Sequence, residues 1–292
     1  MEFENELKQY AKIVNQQLER YEREEICLEK ILNESMHYSL MAGGKRLRPI
    51  LMIVTYRLFK EDYETCFPYA VAMEMIHNFS LIHDDLPGID NDDFRHGKPT
   101  NHKKFNEATA ILAGDALLNY AYMVISKDLL QNNSEEKLRC FQELTVAVDR
   151  MIAGEYIDTE YEGKIISASE LEYMHKNKTG ALIKASVRIG AILAKANQRE
   201  IERLTSYAEK IGLAFQIKDD ILGEIGDERQ LGKPVGNDKE KGKSNYISKY
   251  GLQKSEEMLN GIIEEAIQIV ENYGENGTFL KKLAIYIKQR NK

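Results

Sequence analysis

The chain has 292 residues, 43 % of them hydrophobic and 30 % charged, with only five Pro, which is ordinary globular composition tilted towards helix. A formal net charge of −7 argues against a general nucleic-acid binder, because no excess of cations is present to replace the counterions around phosphates. Cys27, Cys66 and Cys140 are far apart with no CxxC spacing, so neither a disulfide framework nor a zinc site is suggested and a reducing cytoplasm fits best. The polar start MEFENELKQY and the lack of an apolar run of about 18 residues predict no signal peptide and no membrane span.

In chain order, helical periodicity places amphipathic segments near 2–32, 105–130, 134–160, 177–196, 198–222 and 254–272, with a short last one near 277–289. From Ala72 the apolar residues Met75, Ile76, Phe79 and Ile82 recur three or four apart, a helical stripe that stops at Leu86-Pro87-Gly88. No strand is expected. No Ser/Gly/Pro-rich linker and no repeat divides the chain, so a single domain over 1–292 is predicted, all-α, with a multi-helix bundle around a central cavity.

Pro49, Pro87, Pro99 and Pro234 sit beside charged clusters, so breaks in the helices coincide with candidate chemistry. The run Asp84-Asp85-Leu86-Pro87-Gly88-Ile89-Asp90 puts its first and last carboxylates about 240° apart on a regular helix, so they share a face only if the chain leaves the helix between them. Pro87-Gly88 supplies that break. Oxygen ligands without His or Cys suit a hard ion such as Mg²⁺ shared with a phosphate; taken alone, a solvated acidic loop explains the cluster equally well. A second pair, Asp219-Asp220, follows the apolar stretch Ile211-Gly212-Leu213-Ala214-Phe215. Two carboxylate pairs, each ending an apolar helix, would leave charge beside a core unless both converge on shared ions.

Basic residues beside glycines form a third group: GGKRLRP at 43–49, Lys176-Asn177-Lys178-Thr179-Gly180, and Lys233 and Lys243 in LGKP and GKS. Glycine lets backbone N–H groups approach an oxyanion and Arg donates in a fork, so these are candidate diphosphate grips, though any one alone is more often a solvated turn. No GxSxG, HExxH, CxxC, GxGxxG or Walker loop occurs. His83, directly before the Asp pair, reads as a group that satisfies a helix end.

Taken in order, GGKRLRP at 43–49, EMIHNFSLIHDDLPGIDNDDFRHGKPT at 74–100, KTGALI at 178–183, FQIKDDIL at 215–222, LGKPVG at 231–236 and the terminal IKQRNK form one pattern. It resembles the trans-isoprenyl diphosphate synthases, most of all the bacterial farnesyl diphosphate synthases, from about residue 40 to the C-terminus. The resemblance implies the isoprenoid synthase fold, a homodimer, and head-to-tail condensation of isopentenyl diphosphate with dimethylallyl and then geranyl diphosphate. It implies three Mg²⁺ ions, with Mn²⁺ as an alternative, held by Asp84, Asp90 and Asp219, with Asp85 and Asp220 acting indirectly. Arg95, Lys178, Lys233 and Lys243 would neutralise the allylic diphosphate, while Thr179 and Gln216 would face the developing positive charge. Gly44, Lys45, Arg48, His77 and His96 would hold isopentenyl diphosphate. Phe79, with Ser80 beside it, would form an aromatic floor that limits the product to fifteen carbons; the plainer reading of Phe79 is ordinary core.

Two positions depart from the pattern. His96 stands where the family has a second Arg, and Gly223 stands where the second motif has its third Asp. They leave open a weakly active or non-catalytic partner subunit; a geranyl or geranylgeranyl diphosphate synthase of the same family and a terpene cyclase of the same fold are further alternatives. The cyclase is disfavoured by Lys45, Arg48 and His77, which it would not need.

Overall fold

A computed structural model of the protein describes residues 2–21, 23, 27–225 and 244–291. Lys233 and Lys243, expected as diphosphate grips, lie outside the described residues.

The described chain is almost entirely helical, as the sequence predicts. Helices α1 (Glu2–Arg20), α2 (Lys30–Leu40), α3 (Leu47–Tyr56), α4 (Phe67–Asp84), α5 (Asn101–Lys104) and α6 (Glu107–Gln131) are followed by α7 (Glu135–Glu160) and α8 (Ala168–Lys178). Then come α9 (Gly180–Leu193), α10 (Gln198–Ile225), α11 (Tyr246–Tyr250), α12 (Leu252–Glu271) and α13 (Thr278–Gln289). The chain gathers into two compact units, one of Met1–Ile53 and Asp62–Phe141, the other of Val54–Glu61 and Gln142–Lys292.

In the first unit, α4 is the core helix. Pro68 opens it, and residues on every face from Tyr69 to Ile82 are buried, which is the pattern of a helix wrapped by others rather than one resting on a surface. It packs chiefly against α6, with α1 and α2 also on it. Each fully buried Leu, Ile or Met stabilises the fold by roughly 1.5–3 kcal/mol, so α4 is the least replaceable element of this unit. A short antiparallel hairpin, β1 (Phe94–Arg95) and β2 (Lys98–Pro99), corrects the expectation of no strand. Two-residue strands of Phe, Arg, Lys and Pro carry no apolar alternation, so nothing in the periodicity reveals them.

Other boundaries also differ. The segment expected over 2–32 is two pieces, because α1 stops at Arg20 and a 3₁₀ turn (Cys27–Glu29) leads into α2. The segment expected over 177–196 breaks at Thr179. Against the expectation of no long apolar run, α6 holds an 18-residue window of mean hydropathy 1.4, 39 % of it buried, long and apolar enough to cross a membrane by length and composition. Its packing on α4 is what a core helix of that composition does.

In the second unit, α9 is the buried helix and α10 the long amphipathic one beside it. Their crossing is close because glycine meets glycine: a Cβ on Gly212 would stand 3.2 Å from Gly180 Cα. α8 opens with a full capping box, Ser167 Oγ accepting from Glu170 N–H while Glu170 accepts from Ser167 N–H. α12 and α13 pack against α10 and against each other.

Candidate active site

The first acidic motif ends α4. Beyond Asp84 the chain leaves the helix at Pro87-Gly88 and turns back: Ile89 and Asn91 N–H donate to Leu86 O, and Asp90 N–H donates to Asp84 O at 2.8 Å. The turn closes on Asn91 at φ 54°, a left-handed position that Asn tolerates better than most residues. Asp90 thus returns to the end of α4 that carries Asp84, the arrangement that the Pro-Gly break predicts. Asp84 and Asp90 are half-buried and Asp85 is buried. Arg95 donates to Asp85 from Nε, 2.8 Å to Oδ1 and 3.0 Å to Oδ2, with Nη2 2.6 Å from Oδ1. Burial pushes the Asp85 carboxyl up from its ordinary range, and the Arg95 fork opposes that push.

The hairpin presents Arg95 and His96 to the same region. His96 (φ 52°) and Gly97 (φ 74°) are its two loop residues, both left-handed, as a type I′ turn requires. His is among the non-glycine residues enriched in that conformation, which gives a physical reason for His rather than Arg at this position. Tyr38 Oη donates to Pro99 O (2.8 Å) and Thr100 Oγ1 to Asp92 O (2.8 Å), so the hairpin is tied down on both sides. Burial first, then the charges of Arg95, Arg46 and Lys45, hold the His96 imidazole below its ordinary pKa, with Glu74 opposing.

Facing His96 is the glycine-rich turn before α3. Gly43 and Gly44 have φ 129° and 102°, and a Cβ on Gly44 would meet His96 Nε2 at 3.6 Å. Lys45 and Arg48 are half-buried, and Arg48 Nη1 donates to His77 Nε2 at 3.1 Å. Since Arg can only donate, His77 accepts at Nε2 and is neutral, in line with a pKa held well below the ordinary value by burial and then by Arg48. Gly44, Lys45, Arg48, His77 and His96 therefore lie in one cationic nest of the first unit.

Two residues beyond His77, on the opposite side of α4, Phe79 is buried and meets His83 edge-on, with centroids 4.9 Å apart. Ser80 Oγ donates back to His77 O. His83 does not serve its own helix end: Nε2 is 3.0 Å from Ile111 O of α6, over Gly114, where any side chain would strike the ring. Further down α4, Met75 lines a small open recess with Met36, Leu40, Leu117 and Tyr120.

The second unit carries the other motif. Asp220 is buried, with Oδ1 accepting from Gln216 Nε2 (2.9 Å) and Oδ2 from the Tyr246 backbone N–H (2.8 Å). Gln216 Oε1 in turn accepts from Thr179 Oγ1 at 3.0 Å, a pairing made possible by the Gly180–Gly212 contact one turn away. Asp219, its neighbour, keeps 43 % of its side chain exposed and receives Arg290 Nη2 at 2.5 Å. In both motifs, then, the second Asp is turned inward and used by protein donors, while the first stands nearer the surface.

Lys178 is not a lone cation. Its Nζ donates to Glu155 Oε1 (2.9 Å) and Asp158 Oδ2 (2.6 Å) on α7. Gly154 brings α7 this near: a Cβ there would lie 2.7 Å from Lys178 Cα. The sequence reading missed Glu155 and Asp158. Their signal was two carboxylates three apart on an otherwise amphipathic helix, directly after a glycine. Arg290 lies in the terminal IKQRNK, but nothing in its local sequence marks it as the partner of Asp219.

Among the described residues, no three His, Cys, Asp or Glu side chains gather into a metal site by themselves. Mg²⁺ in phosphoryl sites takes one or two carboxylates and completes its shell with substrate oxygens and water, so the Asp84–Asp90 turn and Asp219 fit that ion as partial sites.

The chain matches the polyprenyl synthetase family over residues 29–278. It is 44 % identical to the farnesyl diphosphate synthase of Geobacillus stearothermophilus over 263 residues, covering 89 % of each chain. It is 41 % identical to that of Escherichia coli K12 over 299 residues and the whole of both chains. Among solved structures, an FPP/GFPP synthase from Zymomonas mobilis superposes with a TM-score of 0.86 at 33 % identity, covering 98 % of this chain and 99 % of that one.

Proposed function

The chain belongs to the polyprenyl synthetase family, and from that premise we propose that it is a farnesyl diphosphate synthase that joins isopentenyl diphosphate head-to-tail to dimethylallyl and then geranyl diphosphate. The observation that carries this reading is the cationic nest of Gly44, Lys45, Arg48, His77 and His96 in the unit that also bears the Asp84–Asp90 turn. A prenyl cyclase has no second diphosphate to hold and no use for such a nest.

Asp84, Asp90 and Asp219 would hold three Mg²⁺ ions, with Mn²⁺ able to replace them. The metal, when bound, neutralises the leaving diphosphate so that the allylic C–O bond can break. Arg95 and Lys178 add positive charge at that diphosphate, and each is preset by an acid, Asp85 for the first and Glu155 with Asp158 for the second. Lys233 and Lys243 belong to the same proposal on the strength of the motif alone. Thr179 and Gln216 direct oxygen lone pairs at the developing allylic cation, their orientation fixed by the bond between them and by Gln216 donating to Asp220. The nest holds isopentenyl diphosphate with its double bond towards the cation; the new C–C bond forms, and a proton passes from the adduct to the released diphosphate. No side-chain base is needed. Phe79 and Ser80 limit chain length from beneath the first motif.

A homodimer and a single functional domain over 1–292 complete the proposal. Exposed Ile111, Leu112 and Met123 on α6 support the first, since a monomer would leave them in water. The family match that runs through both units supports the second. The protein acts in the cytoplasm, without a membrane span or nucleic-acid partner.

A longer product is the second reading, favoured by the recess at Met75. Incubation with Mg²⁺, isopentenyl diphosphate and dimethylallyl diphosphate, followed by product sizing, tests both. A fifteen-carbon diphosphate is expected, and a twenty-carbon one selects the second reading. No elongation, or a cyclised hydrocarbon from a longer substrate, defeats both.

A further inference from the structure

Arg46 lies between the two nest cations Lys45 and Arg48, yet it points the other way. It is buried, and its guanidinium is taken up inside the first unit: Nε donates to Asn15 Oδ1 (2.9 Å), Nη1 to Glu74 Oε1 (2.7 Å) and Nη2 to Leu40 O (2.6 Å). Its ion pair with Glu74 leaves only 2 % and 3 % of the two side chains exposed. Arg46 is also left-handed, at φ 52°, one residue beyond Gly43 and Gly44, which are left-handed too, with Lys45 between them in ordinary backbone. A left-handed Arg at the close of such a turn is not held by local preference and needs an anchor. Glu74 is that anchor's other half, itself braced by Asn78 Nδ2, 3.4 Å from Glu74 Oε1 and 2.9 Å from Glu74 O. Three residues along the same helix, His77 receives Arg48. One face of α4 thus fixes the turn at two successive arginines.

We infer that Arg46 is a positioning residue for isopentenyl diphosphate: paired with Glu74, it holds the turn built on left-handed Gly43, Gly44 and Arg46 so that the turn, Lys45 and Arg48 meet the diphosphate together. Arg46 itself does not touch the substrate. Lys45 and Arg48 face the nest while Arg46 is spent on the interior, and a bidentate or single-point substitute at 46 would not hold three separate acceptors. This rests on the assignment of the nest to isopentenyl diphosphate, which Lys45→Ala tests separately.

The experiment compares Arg46→Met, Arg46→Lys, Glu74→Gln and Lys45→Ala for steady-state constants with each substrate varied in turn, alongside calorimetric binding of isopentenyl diphosphate without metal. Arg46→Met should raise the KM for isopentenyl diphosphate by about tenfold or more while the KM for the allylic substrate stays within about twofold. Glu74→Gln, which keeps the shape and the Oε1 acceptor, should raise it by about threefold, and Arg46→Lys should fall between wild type and Arg46→Met. A selective effect of this kind is not produced by general loosening, which would move both KM values and kcat together. If Glu74→Gln changes nothing, or if every constant falls in step with thermal stability, the inference is overturned. If Lys45→Ala leaves isopentenyl diphosphate binding intact, the assignment of the nest fails instead.

Discussion

Arg290, near the C-terminus, donates to Asp219 Oδ1 and to Phe215 O while its guanidinium carbon lies 4.0 Å over the Phe215 ring. The carboxylate expected to bind metal therefore already carries a cation. A metal bound at Asp219 would share the carboxylate with a cation whose own side chain is only 5 % exposed, and the two would oppose each other. Arg290→Met should lower the Mn²⁺ concentration that half-saturates the protein in the presence of inorganic pyrophosphate by roughly threefold to tenfold, read by the paramagnetic signal of free Mn²⁺. An unchanged or raised half-saturation would show that the pair does not compete.

Phe79 is buried near the C-terminal end of α4, and the next turn towards the N-terminus brings Met75 to the recess with Leu117 and Tyr120. Removing the ring should let the growing chain pass down the helix, so Phe79→Ala should shift the main product up by at least one isoprene unit. Chromatography of the dephosphorylated alcohols measures it, and a product of unchanged length would return Phe79 to ordinary core.

His96 is kept neutral in the free protein by burial and three nearby cations, whereas a bound diphosphate favours the charged ring. Protons are then taken up on binding in the window between the lowered pKa of the free form and the higher one of the complex. The sign follows: affinity for isopentenyl diphosphate rises as pH falls through that window. His96→Arg should flatten this dependence and lower the KM near pH 8 by roughly tenfold, at some cost to the turn because Arg favours φ 52° less than His does.

His175 is buried, stacks on Tyr246 at 5.5 Å, and has no hydrogen-bond partner on either ring nitrogen. Burial drives its pKa from 6.5 to about 4. A depressed folded pKa means that the unfolded chain takes up the proton first, so the stability is present above the unfolded value and is lost as pH falls towards the folded one. Between pH 7 and pH 5 this linkage removes roughly 2 kcal/mol. His175→Phe, which keeps a stacking ring, should lose that much less stability over the same interval in urea titrations. Equal losses in both proteins would refute the assignment.

The parts of the site that were legible in the sequence are those where charge follows an apolar helical stretch, although the helix breaks only at the first motif: α10 does not end at Asp219-Asp220 as expected but runs on to Ile225. Pro87-Gly88 between Asp84 and Asp90 implied the turn that Asp90 N–H closes, and the Asp219-Asp220 pair at the end of an apolar stretch implied a charge next to core. Pairings across helices were not legible. Nothing local distinguishes Arg46, which is internal, from Arg48, which serves the nest, because the difference is made by Glu74 on α4. The same holds for Lys178, whose acids come from α7, and for α2 and α3, whose short spans carry too few turns for periodicity to separate them from loop.

Gly154 carries no charge and binds nothing, yet it sets the distance at which Glu155 and Asp158 can reach Lys178. One methyl group at that position would act as a wedge, prising α7 from the end of α8 and drawing both acids off the ammonium. A scan that mutated only polar side chains would pass over it, although this smallest of residues governs the spacing of a charged triad.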